Sequence, residues 1–129
     1  MSAHVVTGPT DLFAGVNQAM DPANLSDLEK KHLPVIDAPE TVVAGTSFDV
    51  TIEVGALLAH PNETGHSIQY IELLADQTFV ARVDLTAGRT EPKVCLRVCL
   101  DGQVHELRAL ARCNLHGVWA QTRKITVTS

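Results

Sequence analysis

Four histidines and one cysteine in this chain lie at spacings that suit a single metal site, and they fall in three short segments. The segments read K-K-H-L-P, H-P-N-E-T-G-H and C-N-L-H-G, and the candidate ligands in them are His32, His60, His66, Cys113 and His116. Four imidazoles and one thiolate suit a mid-series transition metal and exceed the four ligands of a structural zinc site. Five protein ligands in an octahedral arrangement leave one position open, where a redox metal can react.

The local sequence predicts that all five candidates lie in loops or at strand ends. His60 and His66 are six residues apart with a proline and a glycine between them, which does not fit one face of a helix or a central strand. Cys113 and His116 are three residues apart before a glycine, so a strand that turns sharply can bring both to one ion. His32 lies two residues before a proline. Such positions let a rigid scaffold present functional side chains.

From residue 34 onward the sequence predicts β-strands, and in residues 46–54 and 79–85 apolar and polar residues alternate with the period of two that is typical of them. Asp101-Gly102 predicts a hairpin with a two-residue turn between the predicted strands 93–100 and 104–112. In the predicted strand 79–85, the alternation predicts that Phe79, Ala81, Val83 and Leu85 point inward. Short strands with frequent turns predict an all-β sandwich or barrel. The predicted strands are 46–54, 68–75, 79–85, 93–100, 104–112 and 118–128.

The chain divides into an irregular N-terminal arm, residues 1–28, and one domain, residues 29–129. Within the arm, residues 10–20 could form a short helix. Ser26 with Glu29 three residues later is a helix-start signal, although only one turn fits before the proline at 34. His4 in the arm is interpreted as a solvated histidine, and His105, which lies outside any ligand spacing, as a surface or structural one.

The composition excludes several classes of function. The formal net charge is -5 and no basic run occurs, so the sequence does not indicate a nucleic-acid-binding protein. No apolar stretch approaches the roughly 18 residues that span a membrane. The N-terminal residues lack the pattern of a secretory signal, so we expect a cytoplasmic protein.

The chain has three cysteines, and an odd number argues against a disulfide framework. Cys95 and Cys99 belong to one predicted strand, on the same face as Arg97. At about 3.3 Å per residue their Cα atoms lie ~13 Å apart, too far for a bond within one chain. We interpret them as reduced thiols on the outer face. The alternative is a redox-active or oligomer-linking pair.

The chain resembles the superoxide reductase family, the iron domain shared by desulfoferrodoxin and neelaredoxin. The resemblance covers about residues 28–128 and rests on K-H-L-P-V-I, H-P-N-E-T-G-H-S-I, Y-I-E-L and C-N-L-H-G-V-W. It implies an immunoglobulin-like β-sandwich and one iron per subunit, held by four histidines and an axial cysteine. By position, the ligands would be His32, His60, His66, His116 and Cys113. Residues 1–28 contain no cysteine, so the rubredoxin-like site of desulfoferrodoxin is not expected.

The implied activity is the one-electron reduction of superoxide to hydrogen peroxide at non-haem iron. The resemblance also implies a rubredoxin-like electron donor and a homo-oligomer, a dimer or tetramer. Many family members carry a glutamate two residues before the first histidine, where this chain has Lys30. Glu29 lies one residue too early to be assigned that role. Lys31 is retained, and we expect it to attract the superoxide anion as the candidate catalytic residue.

Two other functions are consistent with the same residues. One is a non-catalytic iron-binding or electron-transfer module on the same fold, which the missing glutamate leaves open. The other is a structural zinc site that uses some of the five ligands. Metal content separates the zinc site from the first two functions, and reaction with superoxide separates the enzyme from the electron-transfer module. Trp119 near the last segment either packs in the core or covers the site.

Overall fold

The computed structural model describes residues 15–129 and contains one helix and nine strands in that range. Strands dominate, as the alternating sequence predicts. The elements are α1 (Asp27–His32), β1 (Pro34–Asp37), β2 (Thr41–Val43), β3 (Ser47–Val54), β4 (Ile68–Ala75), β5 (Thr78–Asp84), β6 (Lys93–Cys99), β7 (Glu106–Cys113), β8 (Gly117–Lys124) and β9 (Thr126–Thr128).

The strands form two main antiparallel sheets and one small parallel pair. One sheet has the order β1-β3-β6, the other has the order β5-β4-β7-β8, and β2 pairs with β9. The main hydrophobic cluster takes buried residues from strands of both sheets, so the core lies between them. The prediction of an all-β sandwich is confirmed.

Alternation along β3 shows how the sequence builds this core. Phe48, Val50, Ile52 and Val54 are all buried, and their polar neighbours in the strand are exposed or half-buried. Val50 and Ile52 are 0% exposed, and burying a side chain of this size contributes about 1.5–3 kcal/mol. The rigid sheet that results holds the loop after β3 at one end of the sandwich.

The prediction of a hairpin at Asp101-Gly102 is wrong. The Asp101-Gly102 turn does not close a hairpin, because β6 pairs with β3 in one sheet and β7 pairs with β4 and β8 in the other. The turn therefore carries the chain from one sheet to the other.

The prediction that Phe79 points inward is also wrong, because its side chain points outward and is 60% exposed. The register of β4 and β5 shifts between Leu73 and Leu74, and Val80 is left without a partner, so Phe79 lies opposite Leu74 on the outer face.

The described part of the arm lies along the open edge of β8. The Asn17 N–H donates to the Val118 carbonyl at 2.9 Å, and the Asn17 carbonyl accepts from the Ala120 N–H at 2.9 Å. Residues 15–20 are not helical, so the predicted helix over 10–20 is wrong where the structure describes it, and its first residues and His4 lie outside the described residues. Among residues 15–129, no helix is long and apolar enough to cross a membrane.

Candidate metal centre

His32 is the last residue of α1, a helix of only six residues. Ser26 caps the helix, and Glu29 completes a capping box with it. His32 is 1% exposed, and its Nδ1–H donates to the Leu28 carbonyl at 2.7 Å. Because a carbonyl oxygen only accepts, this bond fixes the tautomer and leaves Nε2 free to bind a metal.

Both carboxylate oxygens of Glu29 are used inside the protein. One accepts a hydrogen bond from the Ser26 N–H and the other from the Met20 N–H, each at 2.8 Å. These backbone hydrogen bonds, that from Ser26 first, lower the pKa of Glu29 below its ordinary value. Glu29 therefore joins the arm to the start of the helix.

His60 and His66 lie in the loop between β3 and β4. The Nδ1–H of His60 donates to the Pro61 carbonyl at 2.6 Å, so its Nε2 is again the free nitrogen. Glu63 and His66 exchange two backbone hydrogen bonds of 3.0 Å, which fold the loop back on itself. The loop starts at Gly55, where φ is +92° and an added Cβ would lie 3.0 Å from the backbone nitrogen of His60. Only glycine fits there without strain.

Cys113 and His116 lie on the tight turn between β7 and β8. Cys113 ends β7 opposite Gly117, the first residue of β8, whose φ of +81° suits glycine. The Cys113 side chain is 0% exposed, whereas His116 is exposed. The Cys113 Sγ lies 3.6 Å from the His116 Nδ1, so the imidazole presents Nδ1 toward the thiol.

The four imidazoles form a closed ring. Successive ring centroids are 4.8 Å apart for His32 and His60, 4.7 Å for His60 and His66, 5.1 Å for His66 and His116, and 4.9 Å for His116 and His32. The diagonal from His32 to His66 is longer, at 6.5 Å. The ligand atoms of His32, His60, His66 and Cys113 all lie within 4.8 Å of one another. The structure therefore brings all five sequence-predicted side chains to one place.

The free nitrogens in this ring lack partners. The Nε2 atoms of His32, His60 and His66 are buried and make no hydrogen bond. Leaving a buried polar atom unpaired costs about 1–3 kcal/mol, so three at one point indicate a ligand-binding site. Burial lowers the pKa of His60 to about 4, and the neighbouring imidazoles act in the same direction against the hydrogen bond to Pro61. Neutral imidazole is the form that binds a metal, so the cluster fits one metal ion.

The family model for desulfoferrodoxin matches residues 24–122 of the chain, which include all five of these side chains. The chain belongs to the desulfoferrodoxin family. A protein of Methanocaldococcus jannaschii is 40% identical over 116 residues, which cover 88% of this chain and 95% of that relative. The superoxide reductase of Pyrococcus furiosus is 34% identical over 108 residues, which cover 70% of this chain and 84% of that enzyme.

The fold of this desulfoferrodoxin-family chain also matches solved structures. The superoxide reductase (neelaredoxin) of Ignicoccus hospitalis superposes with a TM-score of 0.77 at 33% identity, over 92% of this chain and 99% of that one. The likeness to superoxide reductase structures, together with the two-sheet core, confirms the immunoglobulin-like β-sandwich.

Asn114 positions two ligand segments of this desulfoferrodoxin-family site. Asn114 Oδ1 accepts from the Ser67 N–H at 2.9 Å, and its Nδ2 donates to the Gly65 carbonyl at 3.0 Å. The side chain thus joins the C-N-L-H turn to the loop that carries His66. Sequence reasoning missed this residue, although its position inside the cysteine-histidine motif was a signal.

Trp119 supports the site from the core. Its ring stacks on His32 with a centroid distance of 4.9 Å and an interplanar angle of 21°, and its Nε1–H donates to the His116 carbonyl at 3.0 Å. Trp119 is only 6% exposed. The two alternatives from the sequence are therefore both realised, because the same ring packs in the core and lies against the site.

Replacing Asn114 with alanine is expected to weaken metal binding by about 10–100-fold, because supporting residues of this kind have effects of that size. The substitution leaves the Ser67 N–H and the Gly65 carbonyl without their side-chain partner. Competition with a chelator measures the affinity. The exposed Asn24, replaced in the same way, is the matched control. Equal affinities in the two variants would show that Asn114 does not position the ligands.

Proposed function

We propose that this protein is a superoxide reductase that carries one iron per subunit. The observation that carries the proposal is the ring of four imidazoles beside a buried thiol, with three unpaired Nε2 atoms pointing into it. We assign the ligand atoms as Nε2 of three histidines, Nδ1 of the fourth and Sγ of the cysteine. In chain order the ligands are His32, His60, His66, Cys113 and His116.

When bound at these residues, iron would supply a single electron to superoxide, and two protons from water would complete hydrogen peroxide. The residues of the chain prepare the site for this reaction. Cys113 lies in the hydrophobic core, which keeps water from its sulfur, and a thiolate ligand donates electron density to iron. His60 and His66 are half-buried and His116 is exposed, so the site lies near the surface of the domain, within reach of a small anion.

Lys31 supplies positive charge at the site. It lies in the last turn of α1 directly before His32. Burial is the main cause that lowers the pKa of His32, and the charge of Lys31 acts in the same direction after those of His116 and His66. The ring of neutral imidazoles does not offset this charge, and a cationic region raises the local concentration of an anionic substrate. We assign Lys31 the role of attracting superoxide.

Replacing Lys31 with alanine is expected to slow the reaction with superoxide by about two- to tenfold at low salt and to flatten its dependence on ionic strength. Rapid mixing at several salt concentrations measures both. Lys124 is the matched control, because it lies at the far end of β8 from Gly117. A variant that keeps the rate and the salt dependence of the native protein would remove Lys31 from the proposal.

The proposal includes a rubredoxin-like electron donor, a homo-oligomeric state (dimer or tetramer) and a cytoplasmic location. The family resemblance supports the donor and the assembly. The odd number of cysteines supports a reducing compartment, because it argues against a disulfide framework. The division into an arm, residues 1–28, and an iron-binding domain, residues 29–129, is also part of the proposal.

The rate of superoxide loss tests the enzymatic function. The iron-loaded and reduced protein is expected to remove superoxide much faster than the iron-free protein at the same concentration. Loss of superoxide at the rate of buffer, with iron bound, would indicate an iron-binding or electron-transfer module. Failure to bind iron while zinc binds would indicate a structural zinc site.

A further inference from the structure

The outer edge of β6 carries backbone groups that no strand of the described chain pairs. β6 is the last strand of its sheet and pairs with β3 alone. The Val54 N–H donates to the Pro92 carbonyl at 2.9 Å. This bond shows which residue pairs between β3 and β6 are hydrogen-bonded pairs. Antiparallel pairs alternate, so even-numbered residues of β6 bond to β3 and odd-numbered residues direct their N–H and C=O groups to the open edge.

The two exposed cysteines belong to the odd-numbered set. Cys95, Arg97 and Cys99 are exposed on the outer face of the sheet, and the even-numbered residues between them face the core. Both cysteines have free thiols. Arg97 lies midway between them in sequence, so the two thiols are placed symmetrically about it.

This symmetry has a consequence for two copies of the chain. If two β6 edges pair antiparallel about a two-fold axis at Arg97, Cys95 of each copy lies opposite Cys99 of the other. Cα atoms across a hydrogen-bonded antiparallel pair are about 5.5 Å apart, inside the 4.4–6.8 Å range of disulfides. Both residues of such a pair point to the same face of the extended sheet.

The charges at the centre of this edge are partly compensated. Arg97 faces its own copy across the axis, but its Nη1 lies 2.9 Å from the Asp49 Oδ1 on the neighbouring strand. The row across the interface therefore runs from one carboxylate through two guanidinium groups to a second carboxylate. Like charges directly opposite destabilise a pair of strands, and the two carboxylates reduce this cost. Covalent bonds on either side of the axis would stabilise the pairing further.

We propose that β6 is the contact edge for a second copy of this chain and that hydrogen peroxide converts the contact into a covalent dimer with two Cys95–Cys99 disulfides. In each bond, one thiol takes an oxygen from peroxide to form a sulfenic acid and water. The opposite thiol then displaces that oxygen as a second water. Peroxide is the product of the proposed function, and only the source of the oxidant rests on that function.

Two serine variants test the pairing, and peroxide is added as a reagent so that the outcome does not depend on superoxide activity. Oxidised, iron-loaded Cys95→Ser and Cys99→Ser proteins are treated with peroxide separately and as an equal mixture, then separated on a non-reducing gel. Each variant alone should remain a single chain, because every bond needs one cysteine of each kind. The mixture should give a covalent dimer at about half the yield of the native protein, and mass spectrometry should find a Cys95–Cys99 peptide.

The double variant, with both residues replaced, controls for bonds through Cys113. A dimer formed by either single variant alone would place the two-fold axis elsewhere and overturn the proposal. Absence of a covalent dimer in the mixture and the native protein would overturn it as well. Normal reduction of superoxide alongside either result would show that the proposed function stands without the β6 contact.

Discussion

Replacing Cys113 with serine is expected to abolish the thiolate-to-iron absorption of the oxidised protein and to lower superoxide reduction by at least about 100-fold. Residues that only support a metal ligand already change activity or affinity by about 10–100-fold, so loss of a ligand should exceed that range. The fold should persist, because serine has nearly the shape of cysteine and the sandwich core contains many other buried residues. Visible absorption and rapid-mixing kinetics measure the two effects.

Cys95→Ser is the matched control for this experiment. Cys95 is exposed on the outer face of β6 and has no place in the ligand cluster. Its variant should keep the spectrum and the rate of the native protein. A Cys113→Ser protein with an unchanged spectrum would remove that sulfur from the metal site, and the assignment of the five ligands would be wrong.

Removal of the metal is expected to lower the unfolding temperature by at least about 8 °C. A ligand present at 100 times its Kd adds about 2.7 kcal/mol to the free energy of unfolding, and each kcal/mol corresponds to roughly 3–6 °C for a domain of this size. The physical source is the set of buried Nε2 atoms on His32, His60 and His66, which lack partners without a metal. Thermal unfolding of the iron-loaded and chelator-treated proteins measures the difference.

Two histidine variants separate this effect from general stability. His60→Ala removes one ligand and should shrink the difference between the loaded and the chelator-treated protein. His105→Ala should keep the full difference, because His105 is exposed and lies outside the cluster. An equal difference in both variants would show that His60 does not bind the metal.

The sequence predicted the strands well where alternation alone decided them. β3 lies where the period of two places it, because its inner face is buried in the core. Phe79 was misplaced because a single extra residue in β5 reverses the facing of the side chains beyond it. The Asp101-Gly102 turn was misread because turn residues indicate a reversal without saying which sheet the next strand joins.

The ligand segments were visible in the sequence because side-chain chemistry and short spacing define them. The residues that surround these segments could not be predicted, since their positions depend on contacts between distant parts of the chain. The bond from Met20 to Glu29 and the stacking of Trp119 on His32 are of this kind. They explain why Glu29 serves the helix start and how the ring of His32 is held, and neither follows from spacing.

Product stoichiometry tests the central claim most directly. The protein is loaded with iron, fully reduced and mixed with superoxide, and hydrogen peroxide and dioxygen are quantified. We predict one hydrogen peroxide for each superoxide consumed, with iron oxidised and no dioxygen released, despite Lys30 in the place of the family glutamate. Equal amounts of hydrogen peroxide and dioxygen would contradict the account, because they would show dismutation at the same site.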